Sequence, residues 1–303
     1  MGWRFVHNEA SPPTLTHMMT FKTIFFLALA PCVACSGTVN VGGFDAAPDA
    51  PLDAGTDAPS GPSVFIHLKA TTAPVTHLDA WSAQTPKKQT LGIRGLALGT
   101  GPNDPNPWVV FDLGTGFIEA PLDDKADTIV ATVPASALKN GTYTYAWTYA
   151  SHVRYQVDAT VHALNTAVPG TFDNLQVLSD NTTLDGQVRA SGYYSFSFLV
   201  GSQTYGPTTG NGGPLPQTTG AGITLSIKGG VASYGFPINL TVAPPAVDMD
   251  ITLEANTHED FRWEDDPQAG YAPKILDVTP PSSFETVKQF GPNALTVSIA
   301  TKN

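Results

Sequence analysis

The chain has 303 residues, of which 15 are Lys or Arg and 26 are Asp or Glu, and its formal net charge is −11. Charged residues make up only 14% of the sequence while 28 Gly and 26 Pro supply many turns, which excludes coiled coils and long exposed helices. The hydrophobic fraction of 42% is enough for a core and argues against disorder of the whole chain. The negative charge argues against nucleic acid as a partner, because phosphate binding needs a basic surface.

Residues 19–35 have the layout of a secretory signal peptide. Lys22 precedes a short apolar run at residues 24–30, and small residues follow that run. The run is much shorter than the roughly 20 apolar residues that a membrane-spanning helix needs, so we expect a leader and no permanent membrane helix. The residues in front of this segment do not suit a leader, and we predict that translation starts at Met18 or Met19.

The residues around Cys35 resemble the processing site of bacterial lipoproteins. The two residues before it, Val and Ala, match the branched and small residues of that class, and Cys32 stands where Leu is usual. The resemblance implies that residues 1–34 are removed, that Cys35 carries the lipid, and that Ser36 directs the protein to the outer membrane. A redox or metal Cys-x-x-Cys motif and a plain cleaved signal are the alternatives.

Residues 35–62 form a lipidated acidic linker in this interpretation. Aspartates recur every four residues among Ala and Pro, at Asp45, Asp49, Asp53 and Asp57. Like charges at helical spacing repel and Pro opposes a helix, so we expect a disordered, extended spacer that spans up to roughly 80 Å. Low-complexity sequence without a selected role is the alternative.

Residues 63–303 are predicted to form one all-β domain. Apolar and polar residues alternate in several runs, including 129–133 and 249–254, and clusters of Gly, Pro and Asn separate the runs. This period of two predicts half-buried antiparallel strands. About a dozen such strands indicate an antiparallel β-sandwich or jelly roll, with two abutting sandwiches as the alternative. Short helical turns are predicted only at residues 134–139 and 282–290.

The clearest alternation in the chain covers residues 141–162. The residues at the even-numbered positions are mostly polar. The odd-numbered positions include four aromatic residues: Tyr143, Tyr145, Trp147 and Tyr149. Strands usually have about 3–10 residues, so we expect a bend or bulge near Ala150 and Ser151. The aromatic stripe favours a buried face, and a sugar-stacking platform is the alternative.

An acidic hairpin is predicted in the second half of the domain. Residues 248–254 and 261–265 would pair around residues 255–260, with Phe and Trp side chains directed to the core. The outer face would then present four charged residues: Asp250, Glu254, Arg262 and Glu264. Three carboxylates and a guanidinium could bind a cation such as Ca²⁺ or act as acid and base. A solvated face with cross-strand ion pairs is the alternative.

His152 and Arg154, on the polar parity of the same long segment, are further candidates for ligand binding. His162 shares their parity, but a straight strand would place it about 33 Å from His152, too far to share a metal ion. Three other histidines could join either one in space: His67, His77 and His258. The sequence has neither HxH nor HExxH spacing, so the presence of a metal site stays open.

The sequence contains no nucleophile motif such as GxSxG, and a Ser/His/Asp triad could assemble only in space. We therefore favour a non-catalytic β-sandwich that is anchored to the outer membrane by its N-terminal lipid. It would bind carbohydrate or an envelope protein and need no cofactor. The alternative is a lipid-anchored hydrolase or metal-binding periplasmic protein that uses the acidic hairpin or a histidine cluster. A third hypothesis is a purely structural coat or stalk subunit, which would associate through its edge strands.

Overall fold

A computed structural model of the protein describes most of the predicted β domain: residues 61–163, 166–213, 215, 222–243, 245–268, 270–279 and 283–302. These residues all belong to one unit, Thr56–Asn303. The predicted leader, the predicted lipid site at Cys35 and almost all of the predicted linker lie outside the described residues.

The described residues are almost entirely β-structure, which confirms the predicted all-β class. The only helical element among them is a 3-10 turn at Ala135–Ala137, whereas the predicted turn at residues 282–290 is wrong because strands occupy that region. In chain order the strands are β1 (Ser63–Thr71), β2 (Ser82–Gln84), β3 (Lys88–Gly99), β4 (Trp108–Asp112), β5 (Ile118–Pro121), β6 (Asp127–Pro134), β7 (Gly141–Ala163), β8 (Thr166–Val177), β9 (Thr182–Leu184), β10 (Gln187–Arg189), β11 (Tyr194–Val200), β12 (Gln203–Gly210), β13 (Thr224–Lys228), β14 (Val231–Val242), β15 (Met249–Asn256), β16 (Phe261–Glu264), β17 (Leu276–Thr279), β18 (Ser283–Phe284), β19 (Thr286–Phe290) and β20 (Ala294–Thr301).

Within the part of the chain that the structure describes, no helix is long and apolar enough to cross a membrane.

Four strands form one layer of the fold, in the order β20-β15-β1-β6. β1 and β15 run parallel with Ile66 opposite Ile251, and the two outer strands pair antiparallel to them. The predicted alternation is confirmed in β1 and β15, where the apolar positions are buried: Val64, Ile66, Leu68, Met249, Ile251 and Leu253. Because the parallel register aligns these positions, the two strands present one continuous apolar face.

The alternation predicted for residues 129–133 is wrong at a β-bulge in β6. Ile66 pairs with Ala131 and His67 pairs with Ile129, so Val130 is an extra residue on the β6 side. Val130 turns into the core at 1% exposure, whereas Ile129 faces outward at 48% exposure. A period of two holds only where the pairing is regular, and an inserted residue exchanges the two faces.

An eleven-stranded sheet forms the opposing layer, and β7 is its central strand. The main order is β12-β11-β8-β7-β14-β13, and β3 pairs along β7 as well. The first part of β7 lies between β3 and β14, and its second part lies between β3 and β8. β4 and β5 pair with β3, and β17 runs parallel to the end of β7.

The buried parity of β7 changes at a bulge, as predicted for the region of Ala150 and Ser151. Leu91 pairs with Val153 and Ile93 pairs with Ala150, so Ser151 and His152 together oppose a single residue of β3. Directly before the bulge the even positions Ala146, Thr148 and Ala150 are buried, and after it the odd positions Val153, Tyr155 and Val157 are buried. The bulge therefore determines which face of the sheet each half of the strand presents to the core.

One contiguous hydrophobic core joins these layers to a third sheet of the order β19-β16-β2. Phe261 and Trp263 of β16 are fully buried, as predicted. Tyr155 of β7 packs against Phe261 and Phe290, with ring centroids 5.1 and 5.4 Å apart. Aromatic rings bury large apolar areas, so this cluster fixes β16 and β19 against the end of β7.

Candidate functional site

A cleft with a volume of ≈ 730 Å³ opens on the large sheet, on the side of β7 that carries Trp147 and Tyr149. Trp147 and Tyr149 of β7 form part of its wall, together with Arg94 of β3 and the ends of β13 and β14. The 100–107 loop and the turn at Asp180 close its sides. Ligand pockets usually have volumes of about 300–1,000 Å³, so the cleft has room for a small molecule or a short stretch of polymer.

The aromatic stripe of β7 divides between the core and this cleft. Tyr143 is buried and packs against Trp108, with ring centroids 5.5 Å apart. Tyr145, Trp147 and Tyr149 are only half-buried, because the even-numbered positions from Ala146 to Ala150 face the core. The prediction of a buried stripe is thus confirmed for Tyr143, and the other three rings have the exposure that a platform needs.

Glycines on both neighbouring strands let the Trp147 ring lie across the sheet. A Cβ atom on Gly99 of β3 would lie 2.7 Å from Cζ3 of the indole, and a Cβ atom on Gly235 of β14 would lie 3.2 Å from Cδ1. The six-membered end of the ring therefore covers β3 and the five-membered end reaches β14. Gly95 has the same relation to Tyr149, since a Cβ atom there would lie 2.9 Å from Cδ2 of that ring. A side chain at Gly95, Gly99 or Gly235 would displace the Trp147 or Tyr149 ring from its position along the sheet surface.

Arg94 supplies a buried positive charge at the cleft wall. Its side chain is 2% exposed, and Nη2 donates hydrogen bonds to the carbonyl oxygen of Asp180 (3.1 Å) and to Oγ1 of Thr182 (2.9 Å). Burial lowers the pKa of Arg94, although the carboxylates of Asp112 and Asp180 oppose the shift. Its Nε atom has no hydrogen-bond partner among the described residues.

Three carboxylates line the same cleft, and backbone N–H groups hold each of them. Asp104 accepts hydrogen bonds from the N–H groups of Thr100 and Asn106, which lowers its pKa. Asp112 accepts one from Gly114 N (2.8 Å), and Asp180 accepts one from Ser191 N (2.9 Å). A carboxylate accepts hydrogen bonds at two oxygens, so these groups can also receive hydroxyl donors of a ligand.

Tyr149 lies beside this polar region. Burial raises the pKa of Tyr149, and the negative charge of Asp112 raises it further. The phenol is therefore protonated at neutral pH and can donate a hydrogen bond in the cleft. No His or Cys is among the described residues that line the cleft. A ligand there would therefore meet hydroxyl groups, carboxylates, amides and the side chains of Arg94 and Lys228.

The predicted acidic hairpin is wrong, because β15 and β16 belong to different sheets. Both edges of β15 are already paired, one with β1 and the other with β20, and β16 therefore pairs with β2 and β19 instead. Asp250 lies on the outer face of β15, 3.4 Å from Nε2 of His67, and Glu254 is exposed on the same strand.

The two candidates on β16 have different surroundings from those on β15. Arg262 is 1% exposed, donates a hydrogen bond to Oδ1 of Asp79, and stacks with Trp81, whose ring centroid is 5.3 Å from its Cζ atom. Glu264 is exposed and pairs with Lys288 at 2.6 Å. The four residues therefore do not form a common charged face.

His152 is fully buried at the β7 bulge, where it forms a linear array with a serine and a carboxylate. Its Nδ1 atom is 2.9 Å from Oγ of Ser151, and its Nε2 atom is 3.2 Å from Oε1 of Glu119. Ser151 Oγ is itself buried and donates to the carbonyl oxygen of Gly92 (3.0 Å). A nucleophile needs open space in front of its oxygen, and Ser151 lines none of the described pockets.

Arg154 is held by Asp173 in a two-pronged ion pair with distances of 2.9 and 2.8 Å. This pair lines a small pocket of ≈ 220 Å³, in which Arg189 stacks on Tyr193 with its Cζ atom 4.1 Å from the ring centroid. Arg154 and His152 therefore have different hydrogen-bond partners, Asp173 for Arg154 and Ser151 and Glu119 for His152.

The main site residues that the sequence did not indicate are Arg94, Asp112 and Asp180. Arg94 lies within a strand of glycines and apolar residues, where a lone cation is a signal of a buried polar contact. The two aspartates lie at a strand end and in a turn, which is common for aspartate and carries no functional signal of its own.

No protein-family model, no curated protein and no solved structure matches this chain.

Proposed function

We propose that the protein is a lipid-anchored, non-catalytic binding module that takes a neutral carbohydrate in the β3–β7–β14 cleft. The observation that carries the proposal is the Trp147 ring, which lies across three strands over glycines and borders a cleft of ≈ 730 Å³. A flat aromatic surface next to fixed hydrogen-bonding groups suits a sugar, which has apolar C–H faces and a rim of hydroxyl groups.

The charges of the cleft favour a neutral ligand over a charged one. Arg94 and Lys228 stand against Asp104, Asp112 and Asp180, so the charges of the lining nearly balance. A polyanionic ligand would also be repelled by the formal net charge of −11 of the chain. Hydroxyl groups, in contrast, can donate to the carboxylates and accept from the guanidinium and the tyrosine hydroxyl.

Binding of oligosaccharides is the direct test of the cleft. We expect purified protein to bind at least one neutral member of a panel of neutral and uronic acid-containing oligosaccharides, measured by calorimetry. Trp147→Ala should abolish this binding, whereas Tyr205→Ala should not, because Tyr205 is 58% exposed on β12 outside the cleft. Circular dichroism of both variants checks the fold. Absence of binding to the whole panel, or full binding by Trp147→Ala, would refute the proposal.

A glycoside hydrolase is the second candidate, because carboxylates and aromatic rings line the same cleft. Asp112 and Asp180 both line it. Hydrolysis by acid and base needs one carboxyl group that carries a proton, and both of these side chains accept backbone N–H groups, which favours the ionised form. Release of reducing ends from the bound oligosaccharide, lost in Asp180→Asn, would establish the enzyme over the binding module.

The proposed location depends on Cys35 as the lipid attachment site at the outer membrane. The acidic linker would hold the β domain away from the headgroups, because its aspartates repel an anionic surface. We expect a fatty-acid analogue to label the wild-type chain and Cys32→Ala but not Cys35→Ala, with the label in the membrane fraction. Equal labelling of the Cys35→Ala chain, or no labelling of the wild type, would remove the anchor while leaving the carbohydrate proposal to be judged by its own test.

A further inference from the structure

The loop between β1 and β2 meets the turn between β15 and β16 through three metal-ligating side chains. They are His77 on the loop and His258 and Glu259 on the turn. One ligand atom from each lies within 4.8 Å of the other two. The two imidazole rings are nearly parallel, with centroids 6.5 Å apart and an interplanar angle of 8°. Among the described residues this is the only group of three His, Cys or acidic side chains that could hold one ion.

The turn that carries His258 and Glu259 is held on several sides. Asn256 Oδ1 accepts a hydrogen bond from His258 N (3.1 Å), and Glu259 N donates to Oγ1 of Thr85 (2.8 Å). The side-chain amide of Asn293 donates to the carbonyl oxygen of His258. Glu259 has a φ of 50°, a left-handed conformation that is uncommon for residues other than glycine. The two side chains are therefore presented from a defined backbone.

His77 has an unsatisfied ring nitrogen at this point. Its Nε2 atom is buried and has no hydrogen-bond partner among the described residues. A buried polar atom without a partner is unfavourable, and a bound cation would satisfy it. The nearby positive charge of Arg262 is compensated by its ion pair with Asp79, two residues after His77. The surroundings thus do not leave an unpaired cation beside the site.

We propose that His77, His258 and Glu259 bind one Zn²⁺ ion and leave one coordination position for water. Two imidazoles and a carboxylate are a donor set that suits Zn²⁺, and tetrahedral bonds of about 2.0–2.2 Å place the donor atoms about 3.4 Å apart. The donor atoms lie within 4.8 Å of one another, so they must approach by up to about 1.4 Å when the ion binds. The ion would tie this loop to the β15–β16 turn.

His258 requires one rearrangement for this binding. Its Nδ1 atom accepts a hydrogen bond from Val75 N at 3.4 Å, close to the upper limit for such a bond. Coordination through Nδ1 displaces this contact. Coordination through Nε2 requires the ring proton to move to Nδ1, which also ends it. Either route gives up one weak hydrogen bond in exchange for a metal bond.

Zinc titration of the metal-free protein tests the proposal. Calorimetry and elemental analysis should give one Zn²⁺ per chain, and binding should become at least about 100-fold weaker in His77→Gln and in His258→Gln. His67→Gln is the matched control, since His67 already faces Asp127 and Asp250 at 2.7 and 3.4 Å and lies outside the cluster. Zinc should raise the unfolding temperature of the wild type and of His67→Gln but not of the other two variants.

A second readout reports on the coordination itself. Co²⁺ in place of Zn²⁺ should give the intense visible absorption of a four-coordinate site in the wild type, and Glu259→Gln should change or abolish it. Absence of stoichiometric binding would overturn the proposal, and so would binding that survives both His77→Gln and His258→Gln. Because the cluster lies outside the aromatic cleft, neither result alters the carbohydrate test.

Discussion

Trp147 lies directly opposite Gly235 in the antiparallel pairing of β7 with β14. The indole occupies the space that a side chain at position 235 would need, with Cδ1 of the ring 3.2 Å from the place of a Cβ atom. The same position would also bring a Cβ atom to 2.9 Å from the Tyr145 ring. The exposed aromatic surface of the cleft thus depends on a residue that a ligand need not touch.

Gly235→Ala should weaken oligosaccharide binding without removing any aromatic ring. The added methyl group displaces Tyr145 and Trp147 from their flat orientation, and we expect binding to become about tenfold weaker. Alanine also restricts the unfolded chain more than glycine does, so the loss of stability should stay small. Calorimetry with the bound oligosaccharide and thermal unfolding check the two statements.

Gly141→Ala is the control for this substitution. Gly141 lies in the same strand pairing, opposite Val242, but a Cβ atom there would be no closer than 3.5 Å to any neighbour. We expect Gly141→Ala to bind as the wild type does. Equal affinities for Gly235→Ala and Gly141→Ala would show that the flat rings are not what the ligand contacts.

The fold class could be predicted from the sequence, but the faces of two strands could not be predicted throughout. Alternation in β1 and β15 predicts the buried positions correctly because their pairing is regular. In β6 one inserted residue, Val130, exchanges the faces and leaves Ile129 exposed. A bulge is a property of two paired strands, so a single strand sequence contains only a weak signal of it.

The β7 bulge shows what can and what cannot be inferred from length. The alternating segment 141–162 is too long for an ordinary strand, and its length predicts an irregularity near Ala150 and Ser151. The sequence does not show that Ala146, Thr148 and Ala150 face the core directly before it, which is why Trp147 and Tyr149 face a cleft. Nor does it show that Arg94 and Asp180 lie beside them, because non-local strand pairing brings these residues together.

Arg94→Met should destabilise the domain by about 3 kcal/mol, because the substitution breaks buried polar contacts. The carbonyl oxygen of Asp180 and the hydroxyl of Thr182 lose their donor, and two carboxylates lose their nearest buried cation. Urea denaturation measures the effect. Lys228→Met is the control for charge in the cleft, since Lys228 is exposed, and it should change stability by less than about 0.5 kcal/mol. Similar losses in both variants would contradict the structural role of Arg94.

Asp260→Asn should stabilise the domain, and the gain should grow with pH. Asp260 is fully buried and burial raises its pKa well above the usual range, although a hydrogen bond from Gln89 Nε2 (3.1 Å) opposes the shift. The folded state therefore keeps the proton at pH values where the unfolded chain has lost it. The stability of the wild type declines as pH rises above the unfolded value near 3.8, by up to about 1.4 kcal/mol per pH unit.

The asparagine resembles the neutral carboxyl group and does not titrate. Its amide can also donate to Oε1 of Gln89, which is buried without a partner among the described residues. Urea denaturation from about pH 4 to pH 8 should show the two proteins diverging as pH rises. Thr204→Val, at an exposed position without a titrating group, should run parallel to the wild type. A constant difference between Asp260→Asn and the wild type across this range would mean that Asp260 is ionised in the folded state.

Acid should destabilise the domain through His152, in the opposite sense to Asp260. Burial lowers the pKa of His152, and the carboxylate of Glu119 only partly offsets this effect. The unfolded chain therefore binds a proton near pH 6.5 that the folded chain does not bind until a lower pH. The stability contributed by neutral His152 is fully present above about pH 6.5 and is lost as the pH falls below it, with a slope of up to about 1.4 kcal/mol per pH unit.

His152→Gln removes this titration while retaining groups that can contact Ser151 and Glu119. The variant should be less stable than the wild type at neutral pH by about 1–3 kcal/mol, because Gln does not fill the space against the Phe117 ring, whose centroid is 4.8 Å from that of His152. The deficit should shrink as the solution is acidified, since only the wild type then loses stability at this position. Val188→Ala, which changes an exposed side chain without a titrating group, should keep the acid slope of the wild type. If His152→Gln instead retained that slope in urea denaturation, the titrating group would have to lie elsewhere in the fold, and the linear array at the β7 bulge would contribute packing alone.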